Sequence, residues 1–263
     1  MTHDAHTVMR YDERYTPLLK RANLATVSRI VRRGVPPFNP AALTALIDRW
    51  RPETHTFHLP CGEMTITLQD VAMILGLPIR GHPVTGVAES AGWEGRVEEF
   101  LGTPLPELEP GKKRRTSGVP LRWLRQEFSV CPADADAGTV NFYCRAWVLH
   151  MFGSVLFPDG TGDSASWMYL PCLQDWDDAG ELSWGSAVLS FLYRQLCEAC
   201  RRWRGAHATQ SGCTYLLQVL LTELLRFILY FLVTCLCLFF PLVSSGLDVG
   251  EATGRKATHF APS

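Results

Sequence analysis

Four residues near the C-terminal end of the chain have the side chains of a zinc site. Cys197 and Cys200 lie three residues apart, and His207 and Cys213 follow them. Thiolate and imidazole ligands suit tetrahedral zinc, and residues three apart on a helix share a face. The spacing of the second pair matches no standard zinc finger. Thiols packed on a buried helix face are the alternative, and we favour it.

A second group of metal-ligand types surrounds a predicted turn. It consists of His55, His58, Cys61 and Glu63. Side chains alternate along a strand, so His55 and His58 should point to opposite faces. We therefore expect ordinary turn polarity here rather than a shared metal site.

Carboxylates suggest two further kinds of chemistry. Asp175, Asp177 and Asp178 form a cluster that could hold a hard cation, with a solvated loop as the favoured alternative. The run beginning at Asp159 (Asp-Gly-Thr-Gly) resembles the aspartic-protease motif only loosely, because Gly160 interrupts it. No second such motif supplies the partner that a carboxylate dyad needs.

The chain lacks the sequence features of common cofactor enzymes. A pyridoxal-phosphate enzyme needs a buried lysine for its Schiff base. Lys20 lies on an early predicted helix, Lys112 and Lys113 in a polar loop, and Lys256 in the tail. There is no Gly-x-Ser-x-Gly elbow, phosphate-binding loop or dinucleotide fingerprint. We predict that the protein is not an enzyme, and we assign it no cofactor and no catalytic or metal residues.

Two basic clusters could contact phosphates. Lys112, Lys113, Arg114 and Arg115 form a run in a predicted loop, which could act in nuclear import or touch nucleic acid. Residues 201–204 (Arg-Arg-Trp-Arg) could pair with phosphates and stack a base on the tryptophan. For the first cluster we favour the alternative of a solvated loop. For the second we favour the alternative of cations at a helix C-terminus, where they complement the helix dipole.

Hydrophobic periodicity predicts the elements that position these groups. Helices are predicted over residues 18–33, 41–50, 93–101, from 120, 140–157 and 184–203. Residues 54–67 predict a β-hairpin around a Pro/Gly turn. Thr67 and Asp70 then form an imperfect capping box for a helix over 68–75, which Gly76 ends. The predicted fold class is mainly α with a small β-hairpin, a single multi-helix globular domain plus an apolar C-terminal segment.

Composition limits the classes of protein that this chain can be. Of its 263 residues 47% are hydrophobic and 19% charged, which allows a sizeable core without disulfides. The formal net charge of −1 gives no global field that attracts nucleic acid or an anionic membrane. Nine cysteines without a framework and a polar N-terminus without a signal peptide predict a reducing compartment.

Long strings of the sequence carry a family resemblance. Residues 49–79 (RWRPETHTFHLPCGEMTITLQDVAMILGLPI) closely resemble the opening of the plant mobile domain, the "aminotransferase-like" domain of Maintenance of Meristems proteins and long-form phosphatase-7 homologues. The strings 121–124, 157–160 and 184–197 resemble later blocks, so the resemblance covers about residues 15–217. It implies a plant protein, often nuclear, linked to meristem maintenance and transposon silencing and also carried by mobile elements. It transfers no catalytic residue.

An apolar run follows the resemblance. Residues 227–243 contain no charged residue, and with the preceding apolar residues they approach the ~20 residues that a membrane span needs. A tail anchor through Phe227 to Val243, oriented by the preceding arginines with the domain in the cytoplasm, is one interpretation. A buried core helix is another.

The interpretation that we favour for this run is a retained intron or frame change after Gln218, where codons for Gln218-Val219 can contain a splice donor. The domain is then C-terminally truncated, and transcript sequencing tests this. The predicted division is a disordered N-terminus (1–14), an incomplete plant mobile domain (15–217), an apolar helix (218–243) and a disordered tail (244–263).

The family resemblance, together with the absence of a convergent catalytic set, implies a non-enzymatic nuclear interaction domain that acts in meristem maintenance and in transposon or gene silencing. Protein partners are expected, nucleic acid and membrane are alternatives, and no small-molecule substrate is identified. One alternative function is an enzyme or nuclease-like factor of mobile-element origin that uses Asp175, Asp177 and Asp178. Another is a tail-anchored membrane protein.

Overall fold

The structure is a computed structural model, and it describes residues 9–35, 39–60, 62–86, 89–107, 118–201, 211–226 and 229–230. The described residues before 202 include nine α-helices. They are α1 (Thr16–Arg21), α2 (Ala25–Arg33), α3 (Pro40–Ile47), α4 (Leu68–Leu75), α5 (Trp93–Leu101), α6 (Leu121–Glu127), α7 (Ala137–Met151), α8 (Trp176–Gly180) and α9 (Trp184–Arg201). The predicted fold class, mainly helical with little β-structure, is confirmed.

Two small antiparallel sheets join the helices. The first has the order β1 (Trp50–Arg51), β2 (Thr56–Leu59) and β3 (Gly62–Met64), with Phe57 paired to both Trp50 and Met64. The predicted hairpin is therefore β2–β3, to which β1 adds a third strand. The second sheet pairs β4 (Val119–Pro120) with β5 (Ser164–Ala165).

The helix predicted over residues 18–33 is divided in two. Asn23 lies between α1 and α2 with a left-handed φ of 56°, and its side-chain amide donates to the carbonyl of Gly180 at 2.9 Å. Asparagine tolerates this conformation better than most residues. The prediction of one continuous helix was wrong because periodicity does not register a turn that is fixed by a distant carbonyl.

Helix α4 begins and ends where the sequence predicts. The hydroxyl of Thr67 accepts from the backbone N–H of Asp70 at 3.3 Å, and the Asp70 carboxylate accepts from the backbone N–H of Thr67 at 2.7 Å. This reciprocal pair is the capping box. Gly76 ends the helix with a left-handed φ of 63°, which costs glycine little.

Helix α7 lies at the centre of the core. Its last turns bury every side chain from Ala146 to Met151, and a π-helical turn, Phe152–Leu156, continues it. The predicted buried helix over 140–157 is thus α7 plus this turn. The ring of Phe152 lies 5.0 Å from that of Trp184 and 5.6 Å from that of Tyr169, so it joins α7 to α9.

The N-terminal segment is part of the fold from Met9 onward. Met9 is buried, and its carbonyl accepts from the indole N–H of Trp147 at 3.4 Å. The ring of Tyr11 lies edge-on to Trp147 at 5.2 Å. The structure differs here from the expected disordered N-terminus through residue 14, because a buried tryptophan on α7 gives this short polar segment a surface to pack against.

The chain divides into two compact units, Met1–Val219 and Leu220–Ser263. In the first, residues 214–219 are helical, and Cys213, Leu216 and Leu217 are buried. In the second, residues 220–226 and 229–230 are helical, and Arg226 pairs with Glu223 at 3.1 Å.

The predicted apolar span, residues 227–243, lies outside the described residues except for Leu229 and Tyr230, and the predicted tail from 244 lies wholly outside them. Among the helices that the structure describes, none has the length and hydropathy to cross a membrane.

We expect Gly180→Ala to destabilise the protein. A Cβ at this position would lie 2.1 Å from the backbone carbonyl oxygen of Arg21, where α8 meets α1. Backbone cannot move away as a flexible side chain can, so we expect a loss of about 1–3 kcal/mol in the free energy of unfolding, measured by urea denaturation. The matched control is Gly95→Ala on α5, where a Cβ meets nothing within 4 Å. Equal stability of the two variants would contradict this account.

The pH dependence of stability should include a contribution from His150. This side chain is 3% exposed, and its Nε2 has no hydrogen-bond partner among the described residues. Burial, with a smaller contribution from the charge of Arg125, lowers the pKa of His150 to about 4. As pH falls below about 6.5, the unfolded chain therefore binds a proton that the folded chain excludes, and stability is lost until pH approaches the folded pKa.

We expect this group to remove about 2 kcal/mol of unfolding free energy between about pH 7 and about pH 5. The variant His150→Phe should lose that part of the pH dependence in urea titrations at the two pH values. His82→Gln is the control, because the side chain of His82 is 78% exposed. An unchanged pH dependence in His150→Phe would show that His150 is not the group responsible.

Candidate functional site

A cleft of about 590 Å³ separates residues 10–15 from residues 129–133. Arg14 crosses it: the guanidinium donates to the carbonyl of Pro132 at 2.9 Å and to those of Cys131 and Ala133 at 3.4 Å. The same guanidinium forms two hydrogen bonds with Asp12, at 2.8 and 3.0 Å, which lower the pKa of that carboxyl. Arg14 therefore fixes the separation of the two walls.

The base of the cleft is neutral. Tyr15 and Cys131 are both buried there, and burial raises the pKa of the phenol and of the thiol. A thiol with a raised pKa is a poor nucleophile at neutral pH. Val130 is 55% exposed beside them. The cleft is thus lined by an exposed apolar side chain, by backbone carbonyls and by charged side chains.

A basic face lies next to this cleft on α2. We define it by Arg29, Arg32 and Arg33, which are exposed and share one side of the helix, together with the exposed Arg10. The Arg32 guanidinium lies 3.8 Å from the ring centroid of Tyr11 and pairs with Glu13 at 2.6 Å. These contacts connect the C-terminal end of α2 to the segment that carries Arg10. The sequence analysis missed this face because its arginines are not a consecutive run.

Two carboxylates of the acidic cluster at residues 175–178 stabilise the fold, one as a helix cap and one in an ion pair. Asp175 accepts from the backbone N–H groups of Asp177 and Asp178 at 2.7 and 3.2 Å, and so caps α8. Asp177 receives two hydrogen bonds from Arg21, at 2.7 and 2.6 Å, which lower the pKa of its carboxyl. A cation that used all three carboxylates would have to displace the cap and the ion pair.

Asp159 also serves its own loop. Its carboxylate accepts from the backbone N–H of Gly162 at 2.7 Å, from the hydroxyl of Thr161 at 2.9 Å and from that of Ser164 at 2.7 Å. These bonds close the loop that leads into β5. The run that resembles a protease motif is therefore a local turn, and both oxygens of the Asp159 carboxylate accept hydrogen bonds within it.

Two of the thiols predicted as zinc ligands or packed groups contact β1 and the end of α3. Cys197 accepts from the indole N–H of Trp50 at 3.4 Å, and Cys200 donates to the carbonyls of Ile47 and Trp50 at 3.7 Å. Cys213 is fully buried, which raises the pKa of its thiol to about 12. His207 lies outside the described residues.

The two histidines of the hairpin region separate as predicted. His55 stacks on Tyr193 at 5.4 Å, whereas His58 lies 3.2 Å from the carboxylate of Glu63. Cys61 lies outside the described residues. Within the described ranges, no three histidine, cysteine or acidic side chains are grouped as metal ligands.

The two basic clusters identified in the sequence lie almost wholly outside the described residues. Lys112, Lys113, Arg114 and Arg115 lie outside the described residues, as do residues 202–204, and Arg201 is described only as the last residue of α9. Lys256 is also outside them. Lys20 is exposed on α1.

The chain is a mainly helical domain in which other elements enclose α7, with a cleft beside Arg14 and a basic face on α2 at its surface. The chain belongs to the plant mobile domain family, which matches residues 29–228. The match continues past Gln218, where the sequence analysis placed its end, because the family includes part of the apolar helical stretch. No solved structure matches the chain.

Several relatives from Arabidopsis thaliana are similar to it. It is 40% identical to Protein MAINTENANCE OF MERISTEMS over 180 residues, which are 68% of this chain and 36% of that protein. It is 41% identical to Protein MAIN-LIKE 2 over 202 residues, 76% of this chain and 28% of that one. Identity to a serine/threonine-protein phosphatase 7 long form homolog is 46% over 163 residues, 62% of this chain and 12% of that one. The chain thus spans about a third or less of these relatives.

We expect Asp177→Asn to lower thermal stability and Asp178→Asn to leave it unchanged, because only Asp177 pairs with Arg21. The pKa of Asp177 is lowered in the fold, so its stabilising effect is present at neutral pH. The difference in Tm between Asp177→Asn and the parent should disappear as pH falls through that lowered pKa. A rise in Tm on adding Mn²⁺ that both substitutions abolish would contradict this account and indicate a cation site.

Proposed function

We propose that this chain is a non-enzymatic interaction domain that acts in the nucleus, in meristem maintenance and in transposon or gene silencing. The observation that carries the proposal is its family membership, with 40% identity to a protein named for the maintenance of meristems. In this proposal the domain binds other proteins, and its fold supplies a rigid surface.

The geometry of the polar groups supports a binding role. Asp175 caps a helix, Asp177 pairs with Arg21, and Asp159 closes a loop. A catalytic carboxylate must instead be available to substrate or metal. The cleft beside Arg14 offers a protein partner an exposed valine next to polar groups, the usual combination of apolar centre and polar rim at an interface.

A domain exchange tests this function. In an Arabidopsis plant that lacks Protein MAINTENANCE OF MERISTEMS, the aligned 180 residues of that protein are replaced by the corresponding residues of this chain. We expect the hybrid, fused to a fluorescent protein, to accumulate in nuclei and to restore meristem organisation and low transposon transcript levels. Transcripts are measured by quantitative PCR. A stable nuclear hybrid that restores neither property would refute the proposed role.

A second hybrid separates binding from catalysis. It carries Asp175→Asn, which keeps an asparagine able to cap α8, and Asp178→Asn at an exposed position. Both changes leave the Arg21–Asp177 pair intact. We expect full restoration from this hybrid. Loss of silencing at normal protein level would favour the alternative of a mobile-element enzyme that uses these carboxylates.

The full chain tests the location. Fused at its N-terminus to a fluorescent protein, it should be recovered with nuclei. Fluorescence that stays with membranes after a carbonate wash would instead support the tail-anchored alternative.

A further inference from the structure

Positive charge is concentrated in the first described stretch of the chain. Residues 9–35 contain seven lysines and arginines and two carboxylates, although the net charge of the whole protein is −1. Both carboxylates are occupied by ion pairs, Asp12 with Arg14 and Glu13 with Arg32. The local excess of positive charge therefore remains after pairing, and it faces solvent.

The basic face concentrates part of this excess on one side of α2. Arg29 and Arg33 lie one turn apart, about 6 Å along the helix axis. Arg29 donates to the hydroxyl of Thr26 at 3.2 Å, and neither Arg33 nor Arg10 forms an ion pair with any described residue. The opposite side of α2 is fixed in the core by the buried residues Val27 and Val31. The arginines are thus held on a rigid element.

We propose that this basic face, Arg10, Arg29, Arg32 and Arg33, binds the phosphate backbone of double-stranded DNA. Guanidinium groups match phosphate oxygens in geometry and keep their charge at all physiological pH values. A duplex presents about one negative charge per 1.7 Å of its axis, so a helical turn of arginines meets several phosphates. The proposal concerns a ligand class and does not depend on the silencing role.

Two features favour a duplex over other anionic partners. Single-stranded nucleic acid is held mainly by bases stacked on open aromatic rings. Neither tyrosine of this region offers an open ring, because Tyr15 is buried and Tyr11 is covered by the Arg32 guanidinium at 3.8 Å. Protein partners use large apolar anchors. The exposed large apolar side chains of the described residues include none on α2. Contact with the phosphate backbone of a duplex requires only the guanidinium groups of the basic face.

Binding of the full chain to a fluorescent duplex, measured by anisotropy across a salt series, tests the proposal. The variant Arg29→Gln/Arg33→Gln removes two cations that make no ion pair with described residues. We expect log Kd against log salt to become shallower by about 2, because each lost phosphate contact contributes about one unit of slope. Affinity should fall roughly tenfold at about 100 mM salt.

The matched control is Arg49→Gln/Arg80→Gln, which removes the same charge from exposed positions outside α2. It should bind as the parent does. The basic residues at 112–115 and 201–204 are unchanged in every variant, so any contribution from them cancels. Arg29→Lys/Arg33→Lys keeps the charge and should retain the salt slope. Far-ultraviolet circular dichroism and Tm verify that each variant is folded.

Three results would overturn the proposal. The first is an unchanged slope and affinity for Arg29→Gln/Arg33→Gln, and the second is an equal loss in the Arg49→Gln/Arg80→Gln control. The third comes from competitors: if single-stranded RNA or polyglutamate binds more tightly than the duplex and loses affinity in the same variant, the face recognises that other class of partner. Preference for the duplex, with loss only in the α2 variant, is the expected outcome.

Discussion

The burial of α7 is the constraint on which the rest of this domain depends. A helix whose final turns are buried on all sides must be enclosed by other elements. The structure encloses it with α5, α6, the π-helical turn and the N-terminal segment, and Trp147, Leu149 and Phe152 are almost fully buried as a result. Removal of this apolar surface from water is the largest favourable contribution to such a core.

Because the enclosing elements are short, many backbone carbonyls lie at their ends. Arginine side chains donate hydrogen bonds to several of these carbonyls. Arg145 is half-buried on α7 and donates to the carbonyls of Leu173 and Gln174 at 2.9 Å. Arg14 does the same for the three carbonyls of residues 131–133. A guanidinium suits this task because it has five donors in a fixed plane. Several of the arginines in the sequence are therefore structural, and the basic face of α2 is distinct from them.

The chain corresponds to only part of each of its relatives, and the structure describes that part. The chain matches its relatives over most of its own length but spans about a third or less of theirs. The domain thus corresponds to one part of those proteins, and the structure describes the surface of that part. In the structure that surface has a cleft fixed by Arg14 and a row of arginines fixed by the core side of α2, both on rigid supports. Rigid supports reduce the entropy lost when a partner binds.

The sequence by itself determined the family, the mainly helical class and the elements with local signals. Helix α4 is the clearest case, because Thr67, Asp70 and Gly76 act within one or two turns of chain. His55 and His58 are also separated as strand alternation predicts, although His55 precedes β2 in a turn with a left-handed φ of 53°. Only the tertiary structure decided features that depend on distant partners. Asn23 interrupts the first predicted helix by contact with Gly180, and Met9 is ordered by Trp147. In the structure Asp175 caps a helix and Asp177 forms an ion pair, and arginines that are dispersed in the sequence share one face. These features depend on which elements meet in space, because that determines burial and long-range pairing.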